Sequence, residues 1–251
     1  RDLVRSRGLG DVYKRQGVRM RCTNRIPHSR GLGSSASAIV AGVTLARALI
    51  GDADVLGRQE ILEIGSQMEG HPDNVAPAVF GGATVAWMNE ETEEVGALRL
   101  SPPEGIEPVV FIPDFELRTA TARAALPRTV AHVDARFNVA RAASLAALLS
   151  GQARASGGAD LHTLLMEATR DRLHQEQRRG AMEPSLALVD WLRGAGYAAV
   201  VSGAGPTVMS LEPVGADIRH EAARSGWRVL PLGVAASGVQ ITRGSLAKVE
   251  F

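Results

Sequence analysis

Lysine is nearly missing from this 251-residue chain: Lys14 and Lys248 stand against 26 arginines. Neither lysine follows a glycine run, which excludes a nucleotide loop that reaches the β/γ-phosphates with a lysine after its last glycine. Cysteine is scarcer still. Cys22 alone excludes an internal disulfide, and a reducing, cytoplasmic compartment fits. No apolar run is long enough to cross a bilayer, so no membrane partner is expected. A large charge of either sign is also absent. The formal net charge is +1, and residues 1–16 hold five of the basic and two of the acidic side chains, leaving 23 basic against 25 acidic over the rest. No basic face for nucleic acid follows. Repeats and low-complexity tracts are lacking too. Residues 1–16 show neither a helical nor a strand period, nor the apolar centre of a signal peptide. They read as translated adapter sequence or a disordered tail, and fold reasoning starts at residue 17.

What is present begins with the stretch Pro27-His28-Ser29-Arg30-Gly31-Leu32-Gly33-Ser34-Ser35-Ala36-Ser37. Gly31 and Gly33 permit positive φ and close backbone approach, three serines offer hydroxyls, and the run to Ile50 has a helical period. A phosphate at such a helix start meets unpaired N–H groups and the positive end of the dipole. Two other readings compete. Gly31-x-Gly33-x-x-Ala36 fits a dinucleotide fingerprint, with Asp52 or Asp54 near the ribose position. A plain capped helix start with no ligand is the other. Alternation of Val18, Met20, Cys22 and Ile26 with Arg19, Arg21, Thr23 and Arg25 predicts a half-exposed antiparallel strand over 17–26. A dinucleotide fold would need a first strand buried on both faces. The same alternation puts Cys22 on the apolar face, as a buried inert thiol rather than a nucleophile.

Further along, a second amphipathic helix carries Leu56, Ile61, Leu62, Ile64 and Met68 inward and stops at Gly70, suited to a left-handed cap, before Pro72. A short apolar turn, a strand over 83–88, an acidic hairpin at 90–94 and a strand near Leu98 lead to Pro102-Pro103, a plausible boundary. Beyond it the pattern predicts strand 108–112, helices near 120–126, 134–150, 160–176 and 184–194, strands 197–202 and 207–212, helix 215–225 and strand 227–232. With the extra helices set aside this is β-α-β-β-α-β, the ferredoxin-like order, and the fold class is α+β.

Several residues suit phosphoryl transfer, which needs a metal carboxylate beside the phosphate loop. Glu69 ends the second helix, with Glu63 as the alternative, and one carboxylate plus Ser34 or Ser35 suffices for Mg²⁺. In Glu69-Gly-His-Pro-Asp-Asn74-Val-Ala-Pro77, the Gly and Pro residues constrain His71, Asp73 and Asn74 on one loop. Ser202-Gly203-Ala204-Gly205-Pro206-Thr207 joins two strands with more glycine than a hairpin needs, which suggests close backbone approach.

Pro27-x-x-x-Gly31-Leu32-Gly33-Ser34-Ser35-Ala36 resembles the phosphate motif of the galactokinase, homoserine kinase, mevalonate kinase and phosphomevalonate kinase (GHMP) superfamily. His71-x-Asp73-Asn74-x-Ala-Pro77 and Arg136-Phe-Asn-Val-Ala-Arg-Ala-Ala143 resemble its homoserine kinases, and the resemblance runs from Gly17 to about Gly244. It implies two domains. The first, 17–103, is an incomplete ribosomal-protein-S5-domain-2-like part with the ATP loop, and the second, 104–251, is the ferredoxin-like part, after a non-native or disordered 1–16. It implies ATP and Mg²⁺, with ATP contacts from Pro27, Arg30, Gly31, Leu32, Gly33, Ser34, Ser35, Ala36 and Ser37, and from Gly203 and Gly205 in the third motif. Metal ligands would be Ser35 and Glu69. Catalytic groups would be Glu69, Arg123 and Arg178, and L-homoserine would meet His71, Asp73, Asn74, Thr119, Arg123 and Arg178. The expected reaction is transfer of the γ-phosphoryl group to the homoserine hydroxyl, on the route to threonine. No secure general base is visible, so positioning and electrostatics would carry the catalysis.

The family begins with a Pro-Ala-(Ser/Thr)-x-Ala-Asn-x-Gly-Pro-Gly-Phe-Asp segment that nothing here matches. Poor activity or aggregation from an unpaired sheet edge is therefore expected of this chain. Another small-molecule kinase of the superfamily, or a nucleotide-binding sensor without turnover, remains an alternative. A homodimer is the commonest assembly for such chains.

Overall fold

The computed structural model describes residues 20–50, without the Ile50 side chain, and 57–242. Residues 1–16, the first part of the expected strand 17–26, Asp52, Asp54, Leu56 and the end of the chain from 243 lie outside them. Three helices build the first layer: α1 (Ser34–Ile50), α2 (Arg58–Glu69) and α3 (Val75–Phe80). Ala36, Val40, Ile61, Leu62, Val75, Ala76 and Val79 close its core, joined by Val95 from the hairpin β1 (Ala83–Met88) and β2 (Val95–Leu100). The expected apolar turn after Asn74 is thus the helix α3, because Val75, Ala76 and Val79 share one buried face. Gly70 ends α2 at φ 86°, its N–H donating to the Ser66 carbonyl, as a left-handed cap should. Met68, expected inward, is 63% exposed. In the acidic turn between β1 and β2, Asn89 Oδ1 accepts from the amides of Glu91 and Thr92 at 2.8 and 3.1 Å.

Residues 20–26 take no regular secondary structure and belong to no ladder among the described residues, which corrects the expected strand. A strand is defined by its partner, and none of the described segments pairs there. Cys22 is accordingly exposed rather than buried.

The second half is a four-stranded antiparallel sheet, β4 (Ala199–Val201), β5 (Val208–Ser210), β3 (Val109–Ile112) and β6 (Arg228–Pro231), in that spatial order. This is the ferredoxin-like arrangement. β3 lies centrally and all four of its residues are buried, with Phe111 fully so, an apolar burial worth about 2–3 kcal/mol. Helices α7 (Glu183–Gly194) and α8 (Ala216–Arg224) cover one face through Leu188, Val189, Leu192 and Ala222. Before them come α4 (Thr119–Ala124), α5 (His132–Leu149), α6 (Leu161–Ala168) and a 3₁₀ turn, Glu176–Ala181.

The helix expected over 160–176 ends at Ala168. Asp171 is the reason. Its carboxylate accepts from the backbone N–H groups of Leu173 (3.2 Å), His174 (2.8 Å) and Gln175 (2.7 Å), offering the chain an alternative to helical bonds. The segment 235–239 then returns to the first layer, where the Gly82 amide donates to the Ala235 carbonyl and the Val239 amide to the Ala78 carbonyl.

Candidate active site

A cleft of about 1500 Å³ lies between the two layers. A smaller hollow of about 350 Å³ beside Thr44 and Arg58 contains none of the motif residues.

One wall of the cleft is the loop that starts α1. Ser29, Gly31 and Gly33 take φ of 52°, 70° and 70°, and the Ser37 amide donates to the Gly33 carbonyl as the helix begins. The first-turn amides ahead of it have no intrahelical acceptor, and Ser34 and Ser35 line the cleft. Gly31 is pressed against the Ser202–Thr207 connection: a Cβ there would sit 2.3 Å from the Ser202 carbonyl oxygen. Ser202 Oγ donates to the Gly31 carbonyl at 2.9 Å, and Gly203 and Gly205 hold φ of 57° and 84°. The two glycine loops therefore fix each other through backbone contact, which a side chain at Gly31 would prevent.

The serines divide their roles. Ser34 is buried, its Oγ accepting from Asn24 Nδ2 at 2.9 Å and lying 3.2 Å from His28 Nδ1. Ser35 is exposed and donates to Glu69 Oε2 at 2.7 Å. A hydroxyl and a carboxylate so placed at a helix start are the oxygen donors that Mg²⁺ takes alongside phosphate and water. The chemistry of the pair fits that ion. Glu63 lies away from the cleft lining and accepts from Gln59 Nε2 at 2.8 Å, so it does not compete with Glu69. Arg30 is engaged with protein: Nε donates to the Pro113 carbonyl at 3.1 Å, Nη2 to that of Asp114 at 2.7 Å, and Nη1 pairs with Glu116 at 3.3 Å. Its guanidinium ties the loop to the end of β3.

The opposite wall carries the arginines. Arg178 is 9% exposed. Its Nε donates to the Ala122 carbonyl at 3.2 Å and its Nη1 to the Gly203 carbonyl at 3.3 Å. Among the described residues no carboxylate forms an ion pair with it. Burial lowers its pKa, the Asp171 carboxylate works against that, and Arg123 adds to the lowering. Two guanidinium groups are thus close enough to repel, a repulsion that a bound anion would relieve. Between the walls, His71 Nδ1 lies 2.5 Å from Asp73 Oδ1, and the Asn74 side chain packs beside Gly33.

Every position expected at the site lines this one cleft except Ala36, Ser37 and Gly205. Ala36 is fully buried in the first core, and Gly205 backs the loop from behind. Sequence reasoning missed Asp171 and Asn138 as members of the lining, along with Arg141 and Arg170. The available signal for Asp171 was capping geometry: an Asp three residues ahead of His174, where its oxygen meets the backbone N–H.

The pattern of the GHMP kinases N terminal domain matches residues 3–82, and that of the GHMP kinases C terminal domain matches residues 152–217. A homoserine kinase of Streptomyces avermitilis is 46% identical over 228 residues, covering 90% of this chain and 71% of the relative. One from Corynebacterium efficiens is 45% identical, covering 87% and 70%. The chain belongs to the homoserine kinases of the GHMP family. The crystal structure of homoserine kinase from Cytophaga hutchinsonii shares the fold, with a TM-score of 0.71 at 23% identity over 86% of this chain and 70% of that one. No helix among the described residues is long and apolar enough to cross a membrane.

Proposed function

We propose that the cleft transfers the γ-phosphoryl group of ATP to the side-chain hydroxyl of L-homoserine, giving ADP and O-phospho-L-homoserine. The observation that carries this reading is the Ser35–Glu69 contact at the head of α1, facing a buried arginine that has no carboxylate partner among the described residues. The loop amides from Gly31 to Ser35 and the dipole of α1 would hold phosphate oxygens. Ser35 and Glu69 would hold Mg²⁺, which when bound neutralises charge spread over the transferred group. Arg178 and Arg123 would take the substrate carboxylate, a bidentate task for which guanidinium is suited. His71, Asn74 and Thr119 would orient the rest of the amino acid, with Asp73 bound to the His71 ring. Reaction by positioning and electrostatics, without a dedicated base, is consistent with a cleft whose polar groups are set by backbone and hydrogen bonds.

In this reading residues 17–103 supply the phosphate and metal side and residues 104–251 the substrate side. The protein would act in the cytoplasm, as a homodimer. The test is ADP release in the presence of Mg²⁺ and ATP, with and without homoserine. It is run on this chain and on a version extended by the preceding segment of the Streptomyces relative. Homoserine-dependent release by the extended version, with weaker release from this chain, is the expected result, and its absence from a folded protein of both kinds would overturn the substrate assignment.

A further inference from the structure

Asn138 belongs to the stretch 136–143 that the proposed chemistry leaves without a task, yet its side chain reaches the cleft. It lies on α5 and bonds in two directions at once. Its Nδ2 donates to Asp171 Oδ1 at 2.6 Å, and its Oδ1 accepts from the Arg172 amide at 2.9 Å. The Asp171 side chain, 13% exposed, accepts in addition from the amides of Leu173, His174 and Gln175, and lies 3.0 Å from His174 Nδ1. This carboxylate therefore organises the whole turn between α6 and the 3₁₀ turn.

The turn has a direction. Gln175, held by Asp171 through its amide, accepts from the Val201 amide at 2.7 Å through Oε1, which registers the turn on β4. The Gln175 carbonyl accepts in turn from the Arg178 amide at 3.1 Å. Arg178 then anchors Nε and Nη1 on two carbonyls, and among the described residues no hydrogen-bond acceptor occupies Nη2. The open edge of the guanidinium is thus placed by a chain of bonds that begins at Asn138 and Asp171.

We propose that Asp171, set by Asn138, is a positioning residue for Arg178, fixing where that guanidinium meets the carboxylate of the amino-acid substrate. The inference rests on the assignment of Arg178 to that carboxylate. Asp171 does not touch the reacting atoms, so its loss acts on homoserine affinity and leaves phosphoryl transfer alone. An aspartate and an asparagine facing each other also make the pair exchangeable. When the two side chains trade places, an amide still donates across the gap, an oxygen at 138 still accepts from the Arg172 amide and one at 171 from the amides of His174 and Gln175, and of the backbone bonds only the 3.2 Å one from Leu173 loses its acceptor.

The test is a swap cycle: Asp171→Asn, Asn138→Asp and the double exchange, with KM for homoserine, KM for ATP, kcat and the thermal midpoint measured for each. Homoserine binding is read separately by calorimetry. Asp171→Asn is expected to raise KM and the homoserine Kd about tenfold, and Asn138→Asp, which sets two carboxylates face to face, by about thirtyfold or more. The double exchange should return both to within about threefold of the starting protein, with kcat and KM for ATP steady throughout. Folded single variants with unchanged homoserine affinity, or a folded swap that recovers nothing, would overturn the proposal. So would a parallel loss in kcat and ATP affinity. Failure of the unsubstituted protein to bind homoserine would instead bring down the substrate assignment, and this inference with it.

Discussion

The two walls of the cleft are made from different material. On the proposed phosphate side the geometry is backbone: Gly31 and Gly33 at positive φ, Gly31 pressed against Ser202 and Gly205, with Ser35 and Glu69 as the side chains proposed to reach a ligand. On the substrate side it is side chain upon side chain: Asn138 to Asp171, Asp171 to the turn, the turn to Arg178. Backbone walls fail all at once, since a methyl group has nowhere to go. Side-chain walls fail by degrees, because neighbouring donors and acceptors adjust.

Gly31→Ala should break the comparison hardest. A Cβ would meet two carbonyl oxygens within 3 Å and demand a left-handed conformation that alanine resists. Loss of at least about 10²-fold in kcat/KM, with a thermal midpoint lowered by several degrees, is expected. Steady-state kinetics with a melting curve measure both. Next comes Glu69→Gln. Removing the half-buried carboxylate proposed to hold Mg²⁺ should lower kcat by about 10²-fold and raise the Mg²⁺ concentration needed for half activity, while the melting temperature stays put. A Mg²⁺ titration reads it directly. Arg178→Lys should follow, with KM for homoserine up by about 10-fold to 10²-fold and KM for ATP unchanged, because a point charge cannot reproduce the fork.

A smaller effect separates the walls by pH. Burial would raise the Asp171 pKa, but hydrogen bonds from His174, Gln175 and Asn138 outweigh it and hold the carboxyl well below the usual carboxylate range. A depressed folded-state pKa contributes stability that is complete above the unfolded value, about 4, and is lost as pH falls below it toward the folded value. Urea midpoints measured from pH 6 down to pH 2 should therefore decline less steeply for Asp171→Asn than for the unsubstituted protein. Glu63→Gln closes the series, with kcat expected within about twofold of the starting value, since Glu63 binds Gln59 away from the cleft.

The same contrast explains what the sequence disclosed. Glycine at a turn, serine at a helix start and a Pro-rich loop are local signals, so the glycine loop at the start of α1, the Gly70 cap and the ferredoxin-like strand order were legible from spacing, whereas what the loop binds was read from the family resemblance. What spacing left open between Glu69 and Glu63, and between Ser35 and Ser34, is separated by contacts: Ser34 turns inward, Ser35 turns outward and bonds Glu69, and Glu63 bonds Gln59. Asp171 was legible only in part. Its capping of the residues two to four ahead has a local signal, but its partner Asn138 lies 33 residues back on α5, and a helical period over 160–176 hides the point at which the carboxylate ends the helix. Cys22 and Met68 erred for a related reason, because alternation and period tell which residues share a face but not whether anything covers it.

The most direct measurement is a side-by-side kinetic comparison of Glu69→Gln and Arg178→Lys, varying homoserine, ATP and Mg²⁺ in turn. The account predicts a clean division: Glu69→Gln loses kcat and Mg²⁺ affinity with KM for homoserine unchanged, and Arg178→Lys loses homoserine affinity with kcat nearly intact. If both variants move the same parameter, or if Glu69→Gln weakens homoserine rather than Mg²⁺, the division of the cleft into a metal–phosphate wall and a carboxylate wall is wrong.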